Sequence, residues 1–247
     1  MTGRSFEGKC YWIVGASDGL GEALAQELSG AGASLVLSAR RREKLEAVGA
    51  ALPGVAHIAP CDVRDPDSVI AALDGVPPID GLVYCAGLYE PTGAEDWDMK
   101  SVEAMCDVNF TGAARVLGAA MPGLAARGGG HIVLIGSLAG LKGLPNATGY
   151  GASKAGVIHM AENLRADLDP EAFTVQLMNP GFIRTRLTDK NSFSMPFLME
   201  PEEAARRVVK AMRGRRFRTA FPMRLAAIIR TIGMLPDGLY FRLSQAA

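Results

Sequence analysis

The stretch YWIVGASDGLGEALAQEL, Tyr11 to Leu28, decides how the rest of the chain is read. Tyr11 to Val14 is an apolar run of the length of a buried strand. Glycines follow at Gly15, Gly19 and Gly21, and then a helical pattern over Gly21–Leu28. A strand that passes through a glycine turn into a helix is the opening unit of an α/β fold. The alternation continues along the chain. Apolar runs stand at Ser34–Ser38, Val55–Ala59, Asp80–Tyr84, His131–Ile135 and Phe173–Met178, with a short one at Thr219–Phe221. Helical patterns lie between them, in the charged segment RREKLEAV and at Asp67–Leu73, Ser101–Arg127, Tyr150–Leu168 and Pro201–Met212. Apolar strands separated by helices predict a parallel sheet covered on both faces. Right-handed crossovers make it doubly wound, with about seven strands. No linker, repeat or low-complexity segment interrupts the pattern, which predicts one domain over residues 1–247.

Composition is that of an ordinary soluble globular protein, 49% hydrophobic and 21% charged over 247 residues. Lys+Arg and Asp+Glu both number 26, so no global charge favours nucleic acid. The charge is uneven, however. From Arg206 onward ten basic residues face one acid, Asp237. Cys10, Cys61, Cys85 and Cys106 lack C-x-x-C spacing, which predicts a reducing, cytoplasmic setting. No metal site is expected. The first residues lack the long apolar core of a signal peptide, and no apolar run reaches the ~20 residues of a spanning helix.

The glycines are spaced G-x-x-x-G-x-G. Such a turn lets the backbone approach a pyrophosphate, to which the following helix offers N–H groups and its positive dipole end. A tight strand–helix turn also demands glycine for steric reasons alone. The context, after the first strand and before a helix, predicts a Rossmann-like dinucleotide site. Roughly 20 residues on, where an NAD site wants a carboxylate for the ribose 2′-OH, the chain has SARRREKL. Ala39 leaves room there. Arg40 offers planar donors suited to a 2′-phosphate, whereas Arg41 and Arg42 read as the solvated start of a helix. The cofactor read is NADP(H) in preference to NAD(H).

With these residues the chain resembles the short-chain dehydrogenase/reductase family, in its single-domain branch of about 250 residues. The resemblance spans roughly Gly8 to Thr185. It rests on GASDGLG at 15–21, CDV at 61–63, CAG at 85–87, Asn109 in DVNFTG, Ser137 in IGS, YGASK with Tyr150 and Lys154, and NPGFIRT with Pro180 to Thr185. The resemblance implies hydride transfer between a nicotinamide and a carbonyl/alcohol pair. Tyr150 would be the general acid/base. An ammonium four residues along the same helical face would lower its pKa, and Lys154 would also bind the ribose. Ser137 would hold the substrate oxygen, and Asn109 would hold a water linking to Lys154; an asparagine within a long helix equally suits a local kink. Gly15, Ser17, Asp18, Gly19, Leu20 and Gly21 would cradle the pyrophosphate. Asp62 and Val63 would meet the adenine, and Cys85, Ala86 and Gly87 the adenosine ribose. Pro180, Gly181, Ile183 and Thr185 would wrap the nicotinamide end. Two positions depart from the family pattern. Val14 stands where the glycine turn usually begins with threonine. Tyr84-Cys85 replaces Asn-Asn, with an expected loss of sheet-edge hydrogen bonds.

After Thr185 the family places a substrate lid, here residues 186–200. Its Phe193, Met195, Phe197, Leu198 and Met199, with Leu138, Leu141 and Leu144 on the approach to Tyr150, suggest a lipophilic substrate; equally, they suit a core beneath a loop. Residues 222–247 read as a basic amphipathic tail that could sit on an anionic membrane, collect a lipid substrate or pack on a second subunit. A long-chain 3-oxo-lipid reductase at a membrane surface is one alternative function, and a dinucleotide-sensing protein without catalysis is another. By analogy with the family, the helices at Ser101–Arg127 and Tyr150–Leu168 would pair in a homodimer or homotetramer.

Overall fold

A computed structural model of the chain describes residues 3–191 and 193–245. Seven strands form one parallel sheet: β1 Cys10–Val14, β2 Ser34–Ser38, β3 Ala56–Ile58, β4 Gly81–Tyr84, β5 Gly130–Ile135, β6 Phe173–Pro180 and β7 Arg218–Phe221. Their order is β3-β2-β1-β4-β5-β6-β7. The direction of winding reverses between β1 and β4, which opens a crevice at the carboxyl ends of those strands.

The helices are α1 Gly19–Gly30, α2 Arg42–Ala50, α3 Pro66–Ala71, α4 Met99–Cys106, α5 Gly112–Ala126, α6 Thr148–Asp167, α7 Pro201–Met212, α8 Met223–Gly233 and α9 Asp237–Gln245. The alternation within β1 sorts the two layers. Tyr11 and Ile13 face a core shared with α1, α2 and α7. Trp12 and Val14 face the opposite core, filled by α3, α5 and α6. Both faces of the strand are therefore buried, which is why its sequence is apolar without a break.

Among the differences from the sequence reading, three concern the site and the tail. The helix expected over Ser101–Arg127 is interrupted at Asp107–Thr111 by a π-helical turn that contains Asn109. The helix expected from Tyr150 begins two residues earlier, at Thr148. The amphipathic tail is two helices, separated at Met234–Pro236.

A buried polar chain crosses the amino-terminal end of the sheet. His131 Nε2 lies 2.8 Å from Gln176 Oε1. The Gln176 amide nitrogen donates to the carbonyls of Ala211, Gly214 and Arg216, so Oε1 accepts and Nε2 carries the proton. His131 Nδ1 therefore accepts from the Tyr11 hydroxyl at 2.8 Å. Tyr11 is on β1 and His131 on β5, with β4 between them. The Tyr11 ring passes over Gly81 of β4, where a Cβ would lie 2.3 Å from Tyr11 Cε1.

Candidate active site

The crevice at the switch point is a cleft of about 580 Å³, within the range of ligand sites. Its floor is the glycine turn. A Cβ on Gly15 would fall 2.5 Å from the backbone nitrogen of Ala86, and one on Gly21 would fall 1.9 Å from the carbonyl oxygen of Gly15. Gly15 also has φ +95°, a left-handed conformation that glycine adopts without strain. The turn is thus packed so closely against the backbone of Cys85, Ala86 and Gly15 itself that only glycine fits at both positions. Ser17, Asp18, Gly19, Leu20 and Gly21 line this end. Asp62, Val63, Cys85, Ala86 and Gly87 form the next wall.

Arg40 and Arg41 stand at the mouth of the cleft. Arg41 is nonetheless exposed at the N-cap of α2, and Arg42 is exposed 3.7 Å from Glu46, as expected of a solvated helix start. The sequence reading missed Arg64, a third guanidinium lining the same end. Its Nη2 and Nε donate to the Asp62 carboxylate at 2.6 to 3.1 Å. The side-chain hydrogen bond from Arg64 is the largest influence holding that carboxyl below its ordinary pKa. The signal was present as CDVR, an arginine two residues after the aspartate.

At the other end α6 delivers Tyr150 and Lys154 to the cleft, one turn apart. Lys154 is buried, and its Nζ donates to the Ile135 carbonyl at 2.9 Å. It lies 5.8 Å from the centroid of the Tyr150 ring. Burial pushes the Tyr150 phenol up to about 12, against which a hydrogen bond with Ser137 works in the opposite direction. Burial also pulls Lys154 down to about 8. The sequence reading expected the lysine to acidify the tyrosine. Here withdrawal from water governs both groups and disfavours the charged form of each. Ser137 caps the turn after β5, where its Oγ accepts from the Ala139 N–H at 3.1 Å. Burial raises the Cys85 thiol to about 12, so Cys85 fills space in its protonated form.

Asn109 does not line the cleft. Its amide nitrogen donates to the Leu88 carbonyl and to Ser153 Oγ, both at 2.9 Å, and its Oδ1 accepts from the Leu88 N–H at 2.7 Å. Both amide hydrogens are engaged, so the side chain could offer a relay only the second lone pair of Oδ1. Its observed task is to fasten the loop after β4 to α6. Tyr84, in place of the expected asparagine, restores a hydrogen bond of another kind. Its hydroxyl donates to the Val108 carbonyl in the π-helical turn at 2.5 Å.

Pro180, Gly181, Ile183 and Thr185 line the cleft as expected, followed by Arg186, Leu187, Thr188 and Lys190. This segment is fastened on both sides. Arg186 pairs with Asp18 beside the glycine turn. Lys190 pairs with Glu90, and the Tyr89 hydroxyl donates to Asn191 Oδ1 at 2.8 Å. Tyr89 also stands edge-on to the Tyr150 ring, with centroids 5.0 Å apart.

The apolar residues proposed for the approach take other positions. Leu138 is buried in a knot with Leu225 and Ala226 of α8, and Leu141 packs against it. Leu144 is exposed. Met199 belongs to the main core, and Phe193 leans on Phe182 while remaining exposed. None of Leu138, Leu141, Leu144, Phe193, Met195, Phe197, Leu198 and Met199 lines the cleft. The sequence could not show this because α8, which shuts Leu138 in, lies nearly 90 residues downstream. Leu88 and Leu187 are the leucines that do line it beyond the glycine turn.

Comparison with known proteins agrees with this architecture. The sequence pattern described as short chain dehydrogenase matches residues 9–195. An uncharacterized oxidoreductase of Myxococcus xanthus is 36% identical over 92% of this chain and 93% of its own. A sulfoacetaldehyde reductase of Chromohalobacter salexigens is 40% identical over 72% of this chain and 74% of its own. A short chain dehydrogenase from Burkholderia cenocepacia, solved in complex with NADP, superposes with a TM-score of 0.85 at 27% identity, covering 97% of this chain and 99% of that one.

Proposed function

The chain belongs to the short chain dehydrogenase family, and from that premise we propose that it is an NADP(H)-dependent oxidoreductase acting on a carbonyl/alcohol pair. The observation that carries this reading is the convergence of Ser137, Tyr150 and Lys154 at one end of a cleft whose other end is a glycine turn. The glycine turn, closed against its own backbone and leading into the N-terminus of α1, suits a pyrophosphate. Arg40, with Arg41 and Arg64 beside it, suits a 2′-phosphate. The nicotinamide, when bound, supplies or takes up the hydride.

The protein's own residues do the rest. Ser137 Oγ donates to the substrate oxygen and steadies the charge that grows there. Tyr150, protonated because burial holds its pKa up, gives that oxygen a proton. Lys154, largely protonated at neutral pH, stabilises the phenolate left behind and offers donors to a ribose. Asn109 keeps Leu88 and α6 in register, a positioning task. Leu88, Leu187 and the Tyr89 ring give the substrate an apolar flank. Of the segment 186–200 expected as the lid, Arg186, Leu187, Thr188 and Lys190 border the cleft and act as that lid, within a single domain. The outward surface near Phe110, an exposed ring that covers Gly156 of α6, is where two copies would pair.

Consumption of NADPH with aldehydes and ketones of graded chain length, repeated with NADH, tests the proposal. Tyr150→Phe is expected to lower turnover by roughly 10² to 10⁴-fold while leaving cofactor binding intact. Full turnover in that variant would overturn the assignment.

A further inference from the structure

We propose that the outward face of α8 and α9 docks on an anionic lipid bilayer, with its arginines among the headgroups and its apolar side chains at the acyl boundary. Fifteen large hydrophobic residues stand exposed among the described residues, and seven of them fall within residues 223–243. Met223 and Met234 are the most exposed, at 78% and 84%. These two helices are held by one side only. Leu225 and Ala226 of α8 are buried against Leu138. Tyr240 of α9 is buried, and its hydroxyl donates to the Gly143 carbonyl. Among the described residues, the opposite side is open to solvent. Along α8, Met223, Ala227, Arg230 and Met234 recur at the spacing of one helical stripe, and Arg224 and Ile228 form the next. Leu239 and Leu243 repeat the pattern on α9 around Arg242.

Charge selects the occupant. The two helices carry Arg224, Arg230 and Arg242 and a single acid, Asp237, which is paired with Lys142 at 3.0 Å. Among the described residues none of the three arginines has an ion-pair partner. A second copy meeting this face about a two-fold axis would set arginines against arginines with no free acid to answer them. An anionic surface answers all three. Interleaved arginine and large apolar side chains are also what an interfacial helix requires. No helix among the described residues is long and apolar enough to cross a membrane, so the contact is peripheral.

The placement has a functional sense. Both helices rest on the loop that follows Ser137. Gly233 of α8 stands beside Lys142, while Tyr240 lies under the Lys142 ammonium and bonds Gly143. Leu225 also reaches Gly181. The bilayer contact would therefore border the substrate end of the cleft. The docking itself stands apart from the proposed chemistry, because its test reads binding and not turnover.

The test is co-sedimentation of the full chain with phosphatidylcholine vesicles containing about one third phosphatidylglycerol, beside vesicles of phosphatidylcholine alone. Partition onto the anionic vesicles should be on the order of 100-fold stronger, since each arginine near such a surface contributes about fivefold. The triple variant Arg224→Gln/Arg230→Gln/Arg242→Gln should fall to the level of neutral vesicles. Ile228→Ser/Met234→Ser/Leu243→Ser should weaken binding to both kinds of vesicle. All six sites are exposed, and an unchanged melting temperature confirms that each variant folds. Equal partition onto the two vesicle types would overturn the proposal, as would arginine variants that bind like wild type. A concentration-dependent dimer that the serine variant abolishes and the glutamine variant leaves intact would give the face to a second copy, and would overturn it too.

Discussion

Tyr150 keeps its proton and Lys154 tends to lose one for the same reason, their shared removal from water. The lysine sets the pH range. Its pKa in the fold is lowered to about 8, so the ammonium is present below that value and lost as pH rises through it. Turnover is therefore expected to fall as pH rises through about 8, and Lys154→Arg, charged throughout, should flatten that limb of the profile at a lower plateau. At the cofactor end, Arg40→Ala should raise KM for NADPH by on the order of 10- to 100-fold and leave NADH little changed, the range of a charged hydrogen bond. These residues could be read from the sequence because glycine, tyrosine, lysine and arginine at fixed offsets from a strand end have few other uses in combination. Arg64 escaped because its partner Asp62 was assigned to the adenine alone. The direction of the Tyr150 shift escaped because burial is a property of the fold, not of the Tyr-x-x-x-Lys spacing.

The strands were readable to within a residue or two because the central ones are buried on both faces and flanked by turn residues, as β1 and β4 illustrate. Helix interruptions were not. The π-helical turn at Asp107–Thr111 leaves the Val108 carbonyl to Tyr84 and turns Asn109 toward Leu88, and its one signal in DVNFTG is an asparagine within a long helix, which suits a local kink. Asn109→Ala should detach Leu88 from α6 and lower kcat more than it changes the melting temperature, as measured by kinetics and calorimetry on the same samples. Gly81 was equally silent, since glycine in a strand normally weakens it. Here it makes way for a ring on the neighbouring strand. Gly81→Ala is expected to destabilise the fold by about 1–3 kcal/mol, the cost of an overpacked core, as a lower urea midpoint. For Leu138 and Leu141 the alternative of a core beneath a loop holds, and the pattern could not choose it because the covering element, α8, is remote in sequence; Leu144 is exposed.

For the molecule as a whole, the doubly wound parallel sheet followed from alternating strands and right-handed crossovers, while the polar chain through Tyr11, His131 and Gln176 joins residues too distant for any local pattern. That chain makes stability respond to acid. Burial lowers the His131 pKa from 6.5 to about 3, so between those values the unfolded chain binds a proton that the fold refuses. The contribution is whole above pH 6.5 and declines as pH falls, by up to about 1.4 kcal/mol per pH unit. Urea midpoints from pH 7 to pH 4.5 should show this decline, and His131→Asn should remove part of the slope. Phe110→Glu should reduce the sedimenting mass to that of one chain if two copies pair near α6. The fastened segment from Thr185 to Asn191 carries one more implication. On the proposed reading, release of a dinucleotide from the crevice would require the clasps at Asp18 and Glu90 to open, and both clasps are at least partly open to solvent. Dissolved electrolyte should loosen them, so departure of the spent coenzyme is expected to quicken with ionic strength even where the reaction itself does not.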